Sequence, residues 1–330
     1  MLHARPSRDE RFFAISPLLI FPQAMGSFSI FIRKDNTYIL YAKAGEQFSD
    51  HHRKTLFENG VREVYVRLDQ RSQYGRYVEQ NLGSILNDET LPIAERAGAF
   101  YRASTEMMRE AFLKRMPTPL ESNAHQRMLH LVTQSIRFLS TEDSLKALGS
   151  LMTHDFSAYN HSINVFVYTT LLLHRIGLSE AALIQAGIGC LTHDIGLARI
   201  PKEYTRRLGN LSLEEQAIYD THPTLGVAMS TQVPLTQDAI NCILLHHEYM
   251  DGSGTPSGIG GEQIPPLVRA LTIADTFDTL TTRRHGAPLT AFGALDRMRT
   301  EYATRIDLDV FREFVILLSG SGFGDLGDEK

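Results

Sequence analysis

The chain has 330 residues, 43% of them hydrophobic and 22% charged, which is ordinary globular composition and enough length for two domains. Its formal net charge of -5 implies no broad basic surface, so the expected partners exclude a nucleic-acid polymer. Its apolar stretches are shorter than the ~18 residues that a membrane span needs, and charges precede them at the N-terminus, so we expect a cytoplasmic protein with no membrane span.

Residues 12–82 have the alternating and helical patterns of a small mixed unit. The segments FSIFIRK and TYILYAK predict two strands around a turn at Lys34–Asn36, and VREVYVRL predicts a third. SDHHRKTLFENG and RYVEQNLGSIL predict two helices, the first of which ends at Gly60. We therefore predict an α+β module over residues 1–90. Its position favours a regulatory or partner-binding role, and a packing appendage that stabilises a dimer explains the pattern equally well.

The segment NDETLPIAE, with its proline and charges, indicates a domain boundary, and every strong pattern that follows is helical. We predict connecting helices over residues 91–145, an all-α domain over residues 146–318 and a disordered tail over residues 319–330. The predicted fold class is mostly α, with an all-α helical domain preceded by a small α+β module.

Histidines concentrate in the helical part of the chain, where seven of the 13 lie between residues 154 and 247. Several stand at predicted helix ends beside a carboxylate or another histidine, and facing helices are where bundles form metal sites. Imidazole is the commonest metal ligand, and a carboxylate can bridge two cations. Two such metals can hold a hydroxide for an in-line phosphoryl displacement. The candidate ligands are His161, His193, Asp194, His222, His246, His247 and Asp275.

Two other residue types near these motifs need a separate interpretation. Cys190 and Cys242 lie in apolar helical patterns a few residues before histidine motifs, and we expect buried structural thiols that do not bind metal. His174 is expected to be an ordinary helix histidine. Any one histidine pair alone is better explained as a polar helix end, and only the full series makes coincidence the poorer explanation.

The order and spacing of five segments resemble the HD-GYP family of HD-domain phosphohydrolases. The segments are His161, HDIG at 193–196, HPTLG at 222–226, HHEYMDGSGTPSG from His246, and ADTFDTLT at 274–281. This resemblance implies an HD-type helical domain that hydrolyses the bacterial second messenger cyclic di-GMP to pGpG, GMP or both.

The resemblance also implies two divalent metal ions, iron or manganese in preference to zinc. It assigns one ion to His161, His193, Asp194 and Asp275, and the other to Asp194, His222, His246 and His247. Asp194 would bridge the two ions, and His193 and Asp194 would be the catalytic residues. Some members hold a third ion through a glutamate where this chain has Ser157, so we expect two.

The sequence departs from the family pattern on the substrate side. Leu197 replaces the usual lysine that reaches a substrate phosphate, and Thr255 replaces the tyrosine of Gly-Tyr-Pro. Because position 197 follows the His-Asp pair by three residues, we expect a lysine placed there to lie over the metals. The predicted substrate contacts are Arg284, Gly254, Thr255 and Pro256.

Three functions stay open at this point. The first is an active cyclic di-GMP phosphodiesterase, the second a metal-binding but weakly active or inactive signalling module, and the third a hydrolase of another cyclic dinucleotide. The complete ligand set favours the first and third, whereas the lost lysine and tyrosine favour the second and third. We place the first ahead. Protein partners of bacterial signalling and a homodimer are also open.

Overall fold

The computed structural model describes residues 11–21, 26–35, 37–46, 48–113, 122–141, 143–152, 157–282 and 287–320. The chain divides into two compact units, residues 1–103 and 104–330. The first contains a small antiparallel sheet and helices, and the described part of the second is helical, which confirms the predicted fold class. The unit boundary falls inside one long helix, and the three-part division of the sequence stays a prediction.

The sheet of the first unit has four strands in the order β1-β4-β2-β3, with all described pairs antiparallel. The strands are β1 (Phe12–Ile15), β2 (Ile30–Lys34), β3 (Thr37–Ala42) and β4 (Val64–Arg67). On β4, Val64 and Val66 are fully buried and Tyr65 is partly exposed, which is the period of two that a half-buried strand requires. The predicted hairpin is confirmed, because Lys34 pairs with Thr37.

Strand β1 was not predicted, because FFAISPLLIF reads as one apolar run without alternation. The helices of this unit are α1 (Asp50–Glu58), α2 (Arg71–Gln80), α3 (Leu82–Asn87) and α4 (Ile93–Leu113), which contains the unit boundary. Gly60 follows α1 with a φ of +72°, a conformation that favours glycine, as the predicted helix end requires. The second predicted helix is two helices, interrupted at Asn81, whose side chain donates to the Tyr77 carbonyl at 2.8 Å.

The second unit contains eleven α-helices in its described residues. They are α5 (Ser122–Leu139), α6 (Ser144–Gly149), α7 (Ala158–Arg175), α8 (Glu180–Thr192), α9 (Lys202–Arg206), α10 (Leu213–Tyr219), α11 (His222–Met229), α12 (Gln237–Leu245), α13 (Pro266–Thr281), α14 (Ala291–Glu301) and α15 (Leu308–Gly320). Helix α15 thus includes the first two residues of the predicted tail, and residues 321–330 lie outside the described part of the chain.

Helix α7 is the centre of this unit, with a continuous buried stretch from residue 161 to residue 173. It packs against α8, α13 and α15. Tyr168 of α7, Phe277 of α13 and Phe314 of α15 form an edge-to-face cluster with ring centroids 5.2 to 5.9 Å apart. Burial of each such ring stabilises the fold by roughly 1.5–3 kcal/mol. This core fixes the helix ends at which the candidate ligands stand.

One helical stretch, Glu180–Arg199, has the length and composition to cross a membrane, with a mean hydropathy of 1.2. Within the unit, however, 72% of that stretch is buried. Its apolar composition is therefore accounted for by the core, and the expected absence of a membrane span stays a prediction.

Candidate metal centre

The seven candidate ligands come together from five helices or helix ends of the helical unit. In sequence they span more than a hundred residues. His161 lies in the first turn of α7, and His193 and Asp194 follow the last residue of α8. His222 begins α11, His246 and His247 follow α12, and Asp275 lies within α13. All but His247 are buried, and the His247 side chain keeps 25% of its surface exposed.

Three of the imidazole rings are oriented by backbone carbonyls that lie close to them in sequence. The Nδ1 atoms of His193, His222 and His246 lie 2.6, 2.8 and 2.9 Å from the carbonyl oxygens of the residues three positions earlier. A carbonyl oxygen only accepts, so each Nδ1 carries the proton and each Nε2 presents a lone pair. The local backbone therefore directs three Nε2 atoms at the site.

His161 is oriented by side chains that the sequence analysis did not identify. Its Nδ1 lies 2.7 Å from Asp278 Oδ2, and the Asn164 amide donates to Asp278 Oδ1 at 2.8 Å. Asp278 is 1% exposed and lies three residues after Asp275, so both carboxylates share one face of α13. The i,i+3 spacing within ADTFDTLT was the signal available in the sequence.

The Nε2 atoms form two facing pairs. His161 and His193 are 3.3 Å apart at Nε2, and His222 and His246 are 3.1 Å apart. For His222 and His246, each with its proton on Nδ1, the two Nε2 lone pairs point at one another, which is unfavourable unless a cation or a proton lies between them. Two nitrogens bound at about 2.1 Å to one ion are roughly 3.0–3.4 Å apart for right-angled or tetrahedral geometry. Both pairs fit one shared ion each.

The Asp194 carboxylate lies between the two pairs. Its Oδ2 is 3.7 Å from Nε2 of both His161 and His193, and its Oδ1 is 3.3 Å from His222 Nε2 and 3.7 Å from His246 Nε2. Each oxygen therefore faces one nitrogen pair. The residues able to hold an ion form two groups that share this residue. The groups are His161, His193 and Asp194, and Asp194, His222, His246 and His247.

Asp275 completes the arrangement from α13. Its Oδ1 is 3.0 Å from His161 Nε2, and its Oδ2 is 3.9 Å from His247 Nδ1. Burial alone would raise the pKa of the Asp275 carboxyl, but the hydrogen bond and charge of His161 outweigh burial and hold that pKa well below its usual value. Asp275 is thus ionised at neutral pH.

The electrostatics of the histidines suit a divalent cation. Burial lowers the pKa of His193, and burial together with the neighbouring His247 lowers the pKa of His246 well below 6.5. Both rings are therefore neutral at pH 7, the form that binds metal. Buried neutral imidazoles with ionised carboxylates are a donor set for a divalent ion, and the site fits one in chemistry as well as distance.

The glycine of the HDIG segment permits the close packing that brings the His222 helix to the site. Residues Ile195–Arg199 form a short 3-10 helix that lies against α11. A Cβ atom built at Gly196 would be 1.9 Å from the His222 carbonyl oxygen and 2.7 Å from the Gly226 amide nitrogen. Any side chain at position 196 would separate these segments.

The loop after His247 folds back onto the helix end. The Thr255 amide donates to the His247 carbonyl at 3.1 Å, and a Cβ at Gly254 would be 2.4 Å from the same oxygen. The buried Glu248 accepts from the Ser257 amide at 2.6 Å, which ties the far side of the loop to the helix end. The Thr255–Pro256 peptide bond is cis. The loop is thus held beside the candidate ligands.

A cleft of about 330 Å³ opens beside the ligands, within the usual size range of small-molecule sites. Its lining is Leu208, Gln216, Tyr219, Asp220, His247, Tyr249, Ser253, Gly254, Thr255, Asp275, Thr276, Thr279, Leu280 and Tyr302. Of the predicted substrate contacts, Gly254 and Thr255 lie in this lining and Pro256 does not. Arg284 lies outside the described residues.

Leu197 is not among the described residues that line the cleft. It is 8% exposed and packs in a hydrophobic cluster with Ile200, Leu208 and Tyr219, two of which line the cleft. Because the 3-10 helix turns its side chain into this cluster, Leu197 lies behind the cleft wall. Among the described residues, the cleft lining contains no lysine or arginine.

Two further expectations concern residues next to the centre. Cys190 and Cys242 are buried free thiols, as predicted, and neither belongs to the two candidate metal groups. A hydrogen bond with Cys190, together with burial, raises the pKa of the Cys242 thiol, which keeps it protonated. Ser157 is the N-cap of α7, and its side chain accepts from the Asn160 amide at 3.2 Å.

Comparison with known proteins places these features in a family context. The model of the HD domain family matches residues 150–310. A cyclic di-GMP phosphodiesterase from Pseudomonas aeruginosa is 29% identical over 215 residues, which cover 64% of this chain and 50% of that protein. A 3'3'-cGAMP-specific phosphodiesterase from Vibrio cholerae is 30% identical over 152 residues, 46% of this chain and 33% of that protein. The chain therefore spans half or less of the length of these relatives.

A solved structure has the same fold over nearly the whole chain. A protein from Bdellovibrio bacteriovorus, described as an HDG"Y"P protein, aligns with a TM-score of 0.65 and 21% identity. The alignment covers 93% of this chain and 99% of that one. At this identity the likeness concerns the fold alone.

Proposed function

The chain belongs to the HD-GYP family of HD-domain proteins, and from that premise we propose that it is a metal-dependent phosphodiesterase that hydrolyses cyclic di-GMP to pGpG, GMP or both. One observation carries the proposal: two pairs of imidazole nitrogens face the two oxygens of one buried carboxylate, beside a cleft of about 330 Å³. Relatives named as cyclic dinucleotide phosphodiesterases support the substrate class.

In this proposal residues 146–318 form the phosphohydrolase domain. Its seven candidate ligands would hold two divalent ions, iron or manganese. One ion would be held by His161, His193, Asp194 and Asp275, and the other by Asp194, His222, His246 and His247. When bound, such ions activate a water molecule and neutralise charge on a phosphodiester.

The protein's own groups determine how this chemistry is placed. Asp194 fixes the separation of the two halves, because each of its oxygens faces one nitrogen pair. The backbone carbonyls hold the rings of His193, His222 and His246 with the proton on Nδ1, so their Nε2 atoms are directed at the site. Asp278 orients the ring of His161. The loop around Gly254 and Thr255 lines the cleft and would border the substrate.

Two alternatives follow from particular observations. Among the described residues, no lysine or arginine lines the cleft, and Leu197 packs in an apolar cluster. These two observations favour a metal-binding module with weak or no activity. The relatives specific for 3'3'-cGAMP favour a different cyclic dinucleotide. The module over residues 1–90 would then act in regulation or partner binding, in a cytoplasmic signalling protein that can form a homodimer.

The test is metal analysis of anaerobically purified protein, followed by assays of cyclic di-GMP, 3'3'-cGAMP and cyclic di-AMP with iron and with manganese. We expect two ions per chain and hydrolysis of cyclic di-GMP. The Asp194→Ala variant should lose nearly all metal and activity, because both ions lose a ligand. The control is His174→Ala, an exposed histidine at the far end of α7, which should retain both. An unchanged metal count in the Asp194 variant would exclude a dinuclear site.

A further inference from the structure

The cleft wall beyond the ligands has an unusual character for a site that receives a phosphodiester. Three tyrosines, Tyr219, Tyr249 and Tyr302, contribute to it, together with the carboxylate of Asp220. A carboxylate disfavours a nearby phosphate, and the described lining offers no cation in compensation. This part of the cleft is suited to a flat, uncharged group.

Tyr249, which lines the cleft, is held by a cation from a neighbouring segment. The Arg305 guanidinium lies 5.4 Å from the centre of the Tyr249 ring and 5.7 Å from the centre of the Tyr302 ring, both within the range of a cation–π contact. Arg305 does not belong to the residues that line the cleft. Tyr249 and Tyr302 thus line the cleft, whereas the guanidinium that packs against both rings does not.

Backbone and side-chain hydrogen bonds join the two segments that carry these rings. The Met250 amide donates to the Arg305 carbonyl at 2.9 Å, and the Thr304 hydroxyl donates to Asp251 at 2.8 Å. The segment after α12 and the segment after α14 thus form one support. A ring fixed in this way loses little conformational entropy when a ligand stacks on it.

Resting on the proposed function, we propose that Tyr249 and Tyr302, with Arg305 between them, form the surface on which a nucleobase of the cyclic dinucleotide stacks. Stacking on an aromatic side chain suits every base, because each has a π face. His247 and Asp275 line the same cleft. A nucleotide whose base stacks on this surface would therefore have its phosphodiester beside the metal ligands. These rings supply the aromatic contact that Thr255 cannot make.

The experiment measures both binding and hydrolysis of cyclic di-GMP by the full, metal-loaded chain. The variants are Tyr249→Leu, Tyr249→Phe and Tyr302→Leu. The control is Tyr65→Leu, a partly exposed tyrosine of the N-terminal sheet. We expect each leucine variant at the cleft to weaken binding about 5- to 150-fold and to raise KM with a smaller change in kcat. Tyr249→Phe should stay close to the parent protein, because it keeps the ring.

Metal content and Tm of each variant separate loss of stacking from loss of structure. If metal-replete, folded leucine variants bind cyclic di-GMP as tightly as the parent, the stacking surface is refuted, while hydrolysis by the parent still supports the phosphodiesterase. If the parent binds without hydrolysis, the proposed activity fails, and the comparison of leucine with phenylalanine still decides the stacking surface. A parent that does not bind cyclic di-GMP at all refutes the surface as well.

Discussion

Replacement of Asp278 by alanine tests whether the site is two independently oriented halves. Asp278 accepts from His161 Nδ1 at 2.7 Å and from Asn164 at 2.8 Å, and it is almost fully buried. Its loss removes the group that keeps the proton on Nδ1 of His161. Loss of such an orienting partner lowers metal affinity about 10- to 100-fold. The effect should be confined to the ion on the His161 side, because His222 and His246 are oriented by backbone carbonyls.

The assay is stepwise competition with a chromophoric chelator, which reports the two ions separately. The buried amide of Asn164 also loses its acceptor, so we expect the free energy of unfolding of the metal-free protein to fall by about 1–3 kcal/mol. The control is Asp296→Ala, which removes a half-exposed carboxylate from α14. Equal weakening of both ions, or no weakening of either in a folded variant, would refute independent orientation of the halves.

Four further predictions follow from the same geometry. Gly196→Ala should give a protein of lower Tm and lower metal content, because its Cβ would overlap the backbone of α11, and elemental analysis with thermal melting measures both. Replacement of Cys190 and Cys242 by alanine should lower Tm, because buried volume is lost, and should leave the metal count unchanged; loss of one equivalent would make a thiol a ligand. Leu197→Lys should lower Tm and give no gain on cyclic di-GMP, because the new amine enters an apolar cluster; a gain would mean that the side chain reaches the cleft. The metal-free protein should lose stability as pH falls below about 6.5, because the lowered pKa of His246 lets the unfolded chain bind a proton that the folded chain does not; urea titrations from pH 7.5 to pH 5 measure the slope, and a flat profile would contradict it.

The candidate ligands could be found from the sequence because each motif contains most of its own local geometry. The carbonyl that orients His193, His222 or His246 lies three residues earlier in the chain, so a short segment places each ring and sets its tautomer together. Chain order and helix ends then predict which segments meet. The mostly α fold class follows from the same helical periodicity.

Contacts between distant segments could not be found in the same way. Asn164 and Asp278 are 114 residues apart, and nothing local in either segment indicates the hydrogen bond between them. The same holds for the support under Tyr249, which depends on Arg305 and Tyr302 from the segment after another helix. Spacing predicts residues on one helix face, whereas these pairs depend on how separate helices pack.

Leu197 stands at the motif position where the family usually has a lysine, but its surroundings are apolar. Three residues after the His-Asp pair, a regular helix would return its side chain towards the ligands, but the chain continues as a 3-10 helix with Gly196 against α11. The tighter helix directs position 197 into the cluster with Leu208 and Tyr219, where a leucine packs well and a lysine would not. The leucine is therefore consistent with its surroundings, and recognition of the substrate has to come from other cleft residues. In the described structure the cleft lining includes three tyrosines and several hydroxyl-bearing residues that are not candidate ligands. Metal content and substrate preference should accordingly respond to different substitutions.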